Sequence, residues 1–232
     1  MTSQPAPFVI AIDGPSGSGK SSVSRAVATR LGAGYLDTGA MYRALTWWCR
    51  HTEVDLGDAA AITAAAVALP LDIGDDPQAP SVTVDGTDVA ADIRTSEISS
   101  LVSTVATVPD VRVEMQRRQR ALIDDIAARH GACVAEGRDV TTVIAPDAAV
   151  RILLTASEEA RLRRRSLEVH GATDEASIAA TRDQVVRRDR DDSTVSQFTE
   201  AADGVTVVDT SDLDFAGSID AVMSLVDAAR GR

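Results

Sequence analysis

Apolar and polar positions along this 232-residue chain follow two alternating periods. Short, nearly continuous apolar runs fall at about residues 8–13, 33–36, 132–136, 149–154 and 204–208 and read as buried strands. The stretches between them carry the 3.6-residue period of helices: VSRAVATRL after Ser22, GAMYRALTWWCRH after Thr38, then residues 58–69, 95–107, 111–129, 158–170, 174–192 and 215–229. In the last of these Phe215, Ile219, Val222 and Val226 share one predicted face. Breaks fall where chemistry requires them, at Gly32 and Gly34, Pro70, Val108-Pro109-Asp110 and His170-Gly171-Ala172-Thr173. Thr38 and Ser157 are the predicted N-caps of their helices. One segment departs from this rhythm. Between residues 71 and 90, SVTV-DG-TDVA places Asp85-Gly86 between two alternating runs, a hairpin signal. The pattern predicts a doubly wound α/β fold: a five-stranded parallel sheet covered on both faces, with a small antiparallel insert. The insert either shapes substrate choice or decorates the surface. No repeat or linker divides the chain, so one domain over 1–232 is expected.

The first strand and helix enclose a chemical motif. In IDGPSGSGKSS, Gly14, Gly19, Lys20 and Ser21 fill every fixed position of the pattern G-x-x-x-x-G-K-[ST]. Glycines let successive N–H groups curl around a polyphosphate, and the next helix directs its positive end at the same anion. Ser16, Gly17, Ser18 and Ser22 complete the candidate loop. Lys20 is expected on the β- and γ-phosphates of the bound polyphosphate, and Ser21 on Mg²⁺. Lys20 is also the single lysine among 23 basic residues, which leaves 22 arginines. A chain that otherwise uses arginine keeps a compact ammonium here.

Composition narrows the partners. A net charge of −12 argues against a nucleic-acid backbone as ligand, and 3% aromatic residues leave few stacking platforms. The chain lacks asparagine, which excludes the N-K-x-D guanine-reading motif. No run reaches membrane-span length, and neither cysteine (Cys49, Cys133) belongs to a metal pattern. A reduced, cytoplasmic setting, no membrane partner and a monomeric state are expected.

Further candidates lie where open α/β sheets bind ligands, at strand carboxyl ends. Arg43 follows the second strand. Arg138-Asp139 follows the third in Glu136-Gly137-Arg138-Asp139, where a structural ion pair is the alternative. Arg161, Arg164 and Arg165 are spaced to share a helix face; with the helix after Gly171 they predict a lid over phosphates, the alternative being a solvent-facing helical hairpin. Arg188 and Asp192 also share a face. The run QRRQR at residues 116–120 reads as a solvated face.

IDGPSGSGKSSV, LDTGAMYR, IRTSEISSLVSTVATVPDVRVEMQRRQR, EGRDVTTVIAPDA and RRDRDDST occur in an order and spacing that resemble the bacterial cytidylate kinases across about the whole chain. The resemblance implies a P-loop kinase fold with a core at about 1–37, 112–156 and 193–232, an acceptor-binding region at about 38–111 and a lid at about 157–192. It implies ATP and Mg²⁺ as cofactors, CMP and dCMP as substrates, and in-line phosphoryl transfer. Carried over residue by residue, Thr38, Arg43 and Arg138 would surround the acceptor phosphate. Ser103, Arg112 and Asp139 would read cytosine, and Arg188 with Asp192 would meet the sugar. Arg161, Arg164 and Arg165 would face the donor and the transferring group, with Lys20, Arg138, Arg164 and Arg188 as the catalytic set. The chain departs from the family at Val195, three residues beyond Asp192, where relatives typically carry another phosphate-clamping arginine. Arg190 points the other way round the helix. Should the helix end at Ser193, residue 195 is expected to leave the site. Another P-loop small-molecule kinase and a non-catalytic ATP-binding regulatory module are the competing readings.

Overall fold

A computed structural model describes residues 7–231, apart from the side chains of Glu168, Asp183, Gln184 and Arg188. Five strands, β1 (Phe8–Asp13), β2 (Gly34–Asp37), β6 (Ala132–Gly137), β7 (Val150–Thr155) and β8 (Thr206–Asp209), form one sheet in the order β2-β6-β1-β7-β8. All its pairings are parallel. This is the doubly wound, five-stranded parallel sheet expected from the apolar runs. The alternation within β1 decides what covers each face. Ile10 and Ile12 point to the side packed by α1 (Lys20–Leu31) and α8 (Phe215–Ala229). Ala11 points to the other side, under α2 (Thr38–His51) and α5 (Pro109–His130).

The insert is a second, antiparallel sheet of β3 (Leu71–Ile73), β4 (Val82–Val84) and β5 (Thr87–Asp88). Asp85 and Gly86 both adopt positive φ, 50° and 75°, as a two-residue primed turn requires. The insert is tied to the core. Asp75 accepts the Tyr35 amide of edge strand β2 at 2.9 Å, and Arg25 donates to the Pro77 carbonyl at 2.8 Å. Helices α3 (Ala59–Ala68) and α4 (Ser96–Ala106) complete this side, and α6 (Glu158–His170) pairs with α7 (Glu175–Ser193) beside the P-loop.

Three local expectations are corrected. The N-cap of α2 is Asp37, whose carboxylate accepts the Ala40 amide at 2.9 Å. Thr38 is already helical, and its hydroxyl donates to the Glu136 carbonyl at 2.8 Å. The carboxylate wins because an ionised acceptor caps more strongly than a hydroxyl that has a buried carbonyl to serve. The QRRQR run is not one solvated face. Gln119 is fully buried, Arg118 donates to the carbonyls of Val67 and Leu69 at the end of α3, and Gln116 turns to the site. Phe215 stays exposed at the start of α8, while Val222 and Val226 are buried.

Candidate active site

The P-loop, α2 and the Glu136–Asp139 segment of the site leave the parallel sheet at its carboxyl end. The P-loop leaves β1 at Asp13 and enters α1 at Lys20. Gly17 within it has φ of +77°, and a Cβ there would come within 2.5 Å of the Arg161 carbonyl oxygen. The loop thus needs glycine both for its curl and for the close approach of α6.

The parallel register sets Gly137 beside Asp13 and Glu136 beside Asp37. The buried Asp13 carboxylate accepts the Val140 amide at 3.0 Å, the Thr141 amide at 2.8 Å and the Thr141 hydroxyl at 2.6 Å. It pins the short helix Val140–Ile144 and with it Asp139. Glu136 is also buried. Its Oε1 accepts the Tyr35 hydroxyl at 2.6 Å, whereas Oε2 has no hydrogen-bond partner among the described residues. Burial pushes this carboxyl up and neighbouring Asp37 adds to the shift, opposed by Lys20, Ser21 and Tyr35.

These residues open onto a cavity of about 210 Å³. Its wall includes Ser16, Gly17, Gly19, Lys20, Ser21 and Ser22 of the P-loop, together with Thr38, Arg43, Arg112, Arg138, Asp139, Arg165 and Asp192. Other sequence-predicted residues sit just outside that wall. Gly14 packs under the Leu154 carbonyl. Ser18 is buried with its carbonyl facing an Arg164 donor at 3.3 Å. Arg161 and Arg164 hold the outer side of the loop, Arg161 donating to the Ser16 carbonyl at 3.0 Å. Ser103 lines a small adjoining cavity and donates to Asp192 at 3.0 Å. The Arg188 side chain lies outside the described residues. Arg43 is braced by the Ile93 carbonyl and the Ser99 hydroxyl.

Two arginines are held with particular care. Arg112 donates to Asp139 Oδ2 at 2.6 Å and to Ser196 at 3.1 Å. Gln116 donates to the same Oδ2 at 3.0 Å, so among the described residues Asp139 Oδ1 takes no protein donor. Arg138 donates to the Ser16 hydroxyl at 2.8 Å, pairs with Asp192 at 2.9 Å and Asp189 at 3.0 Å, and stacks over Phe198 at 4.2 Å. One face of the helical pair α6–α7 therefore packs against the P-loop, while Leu167, Val169 and Val186 on the pair stay exposed.

Position 195 joins two expectations that excluded each other. Helix α7 does end at Ser193, yet Val195 still lines the cavity, because the chain turns back towards Ser196 and buried Phe198. Arg190 is exposed beside Asp191. Sequence reasoning missed Asp13, Gln116, Asp189 and Arg94, the last also on the cavity wall, as site residues and passed over Glu136. Carboxylates at strand ends carried a usable signal. Gln116 and Asp189 lay hidden in runs whose inward face only tertiary packing reveals.

Among the described residues, no helix is long and apolar enough to cross a membrane. The cytidylate kinase family model matches residues 10–228. A cytidylate kinase of Streptomyces avermitilis is 49% identical over 224 residues, covering 96% of this chain and 94% of that protein. One from Cutibacterium acnes is 48% identical over 221 residues, covering 95% and 96%. A solved structure of a protein from Eubacterium ventriosum shares the fold at a TM-score of 0.52 and 12% identity, covering 95% of this chain and 99% of that one.

Asp13 makes the site's scaffold sensitive to pH. Burial raises its carboxyl from 3.8 to about 6, against the bonds from Thr141 and Val140. The folded chain thus binds this proton more tightly than the unfolded one. The resulting stability is complete below about pH 4 and is lost as pH rises through about 6. Relative to Asp13→Asn, the wild type is expected to lose about 3 kcal/mol of stability between about pH 4 and 7, read from urea midpoints. A difference that does not change with pH would contradict this account of Asp13.

Proposed function

The chain belongs to the cytidylate kinase family, nucleoside monophosphate kinases that use ATP, and from that premise we propose that it phosphorylates CMP and dCMP to the diphosphates by in-line transfer. The observation that carries the choice of base is Asp139. Asp139 lines the cavity, its Oδ2 is occupied by Arg112 and Gln116, and Oδ1 takes no donor from the described residues. Cytosine offers an exocyclic amine to such an acceptor, and uracil offers a carbonyl.

The remaining roles follow from charge and reach. The P-loop amides and Lys20 bind the donor phosphates. Thr38, Arg43 and Arg138 surround the acceptor phosphate, for which arginine forks are suited. Ser103 supports base reading by Arg112 and Asp139, and Arg188 with Asp192 meets the sugar. Arg161, Arg164 and Arg165 form the lid over the donor and exclude water, the acceptor-binding region being about 38–111. The buried Glu136 carboxylate, beside Lys20 and Ser21, suits a hard cation, so Ser21 and Glu136 are the residues that would hold Mg²⁺. That ion would supply charge neutralisation between the donor phosphates. Positioning and neutralisation suffice for this chemistry, and no covalent nucleophile is called for. The protein acts in the cytoplasm as a monomer on these small molecules. With Val195 in place of an arginine, more of the acceptor-phosphate charge falls to Arg43, Arg138 and the lid.

ADP release measured with CMP, dCMP, UMP, AMP, GMP and shikimate tests the acceptor. Leaving Asp139 facing a carbonyl costs about 1–3 kcal/mol, so kcat/KM for CMP is expected to exceed that for UMP by about 5- to 150-fold. Equal values would refute the base reading. A second expectation concerns the cavity wall: Val195→Arg should lower the KM for CMP or raise kcat. A folded variant with both constants unchanged would show that residue 195 contributes nothing to phosphate binding.

A further inference from the structure

We propose that Asp189 is a positioning residue for phosphoryl transfer, joining the helical pair α6–α7 to the P-loop and fixing Arg138 on the cavity wall and Arg161 behind the loop. The proposal rests on the reading above in assigning Arg138 and Arg161 to the phosphates. Asp189 lies on α7, 173 residues from Ser16, yet its Oδ1 accepts the Ser16 amide at 3.0 Å. Oδ2 accepts Arg161 of α6 at 2.5 Å, and Oδ1 pairs with Arg138 beyond β6 at 3.0 Å. All three side chains are largely buried, at 13%, 15% and 13% exposure for Asp189, Arg161 and Arg138.

The partners come from three separate elements: the P-loop, the end of β6 and the first lid helix. Asp189 lies between two guanidiniums, and with Asp192 on the other side of Arg138 the four groups sum to no net charge, so the forks are held in place while their charge is balanced. A buried ion cluster of this kind is weak evidence for stability, because desolvation offsets much of the attraction. Its value lies in preorganisation: the two arginines need not reorient as charge develops on the transferring group. Burial opposes ionisation of Asp189, but Arg138, the Ser16 amide and Arg161 outweigh it and hold the carboxyl below its usual range. Asp192 serves a different side of Arg138, pairing with its Nε at 2.9 Å while accepting the Ser103 hydroxyl. Docking the lid and aligning the arginines are then one event, made at a single carboxylate.

The test is a double-mutant cycle of Asp189→Asn and Arg161→Gln, with melting midpoints recorded for each variant. Asparagine keeps the size and an acceptor for the Ser16 amide but removes the charge; Asp189→Ser serves if that variant does not fold. Asp189→Asn is expected to lower kcat about tenfold to a hundredfold while the KM for CMP moves by less than about threefold. The double variant should lose little more than the worse single one, since both act on one unit. A lowered midpoint with unchanged kcat would make Asp189 merely structural. Unchanged kcat with tighter ATP binding would make it a stand-in for a phosphate oxygen that must leave. Additive losses would show that it does not act through Arg161. Rates are read with whichever monophosphate the wild type turns over fastest, so failure of the cytosine reading is seen separately in the wild-type acceptor panel.

Discussion

The site depends on the parallel pairing of β1 with β6. That register puts the last residue of β1, Asp13, level with Gly137, so the P-loop and the Glu136–Asp139 segment leave the sheet side by side. Slipping the register by one residue would reverse the facing of every side chain on β6 and turn Glu136 away from Lys20 and Ser21. Asp13 secures the arrangement with three hydrogen bonds to Val140 and Thr141. The phosphate-binding loop and the base-reading carboxylate are thus fixed by one strand and cannot drift apart independently.

Charge is the second constraint. A chain of net charge −12 must collect cations at one place without leaving them unpaired in a dry cleft. Arg112 has Asp139; Arg138 has Asp189 and Asp192; Arg161 has Asp189. These pairs are partly buried, where breaking one partner costs more than the intact pair gains. The surplus of acid elsewhere, as at Arg120 with Asp124 and Asp147, lies on exposed surface and adds little to stability. The same arrangement bears on the helical pair α6–α7: Arg161 and Arg164 bond to P-loop carbonyls, which gives the pair a docked position.

What could be read from the chain divides by the range of the interaction. The five sheet strands, the P-loop, the Asp85-Gly86 turn and most helix limits were legible because they rest on local periodicity and backbone preference. Caps one residue apart were not: Asp37 and Thr38 compete for the same role, and the choice depends on Glu136, 98 residues from Thr38. The inward turn of Gln116 within a charged run, and the insertion of Asp189 beside Ser16, are long-range facts with no local signature. Val195 shows the same limit. Where its helix stops could be anticipated, but not that burial of Phe198 would bring the chain back to the cavity.

Whether the chain moves the γ-phosphate of ATP onto CMP is decided by identifying the product of a labelled transfer. With ATP labelled in its γ-phosphate, CMP and Mg²⁺, the label is expected in CDP, with none appearing there when Mg²⁺ is chelated. Label recovered only as inorganic phosphate, or retained in ATP whether or not CMP is present, would contradict the account.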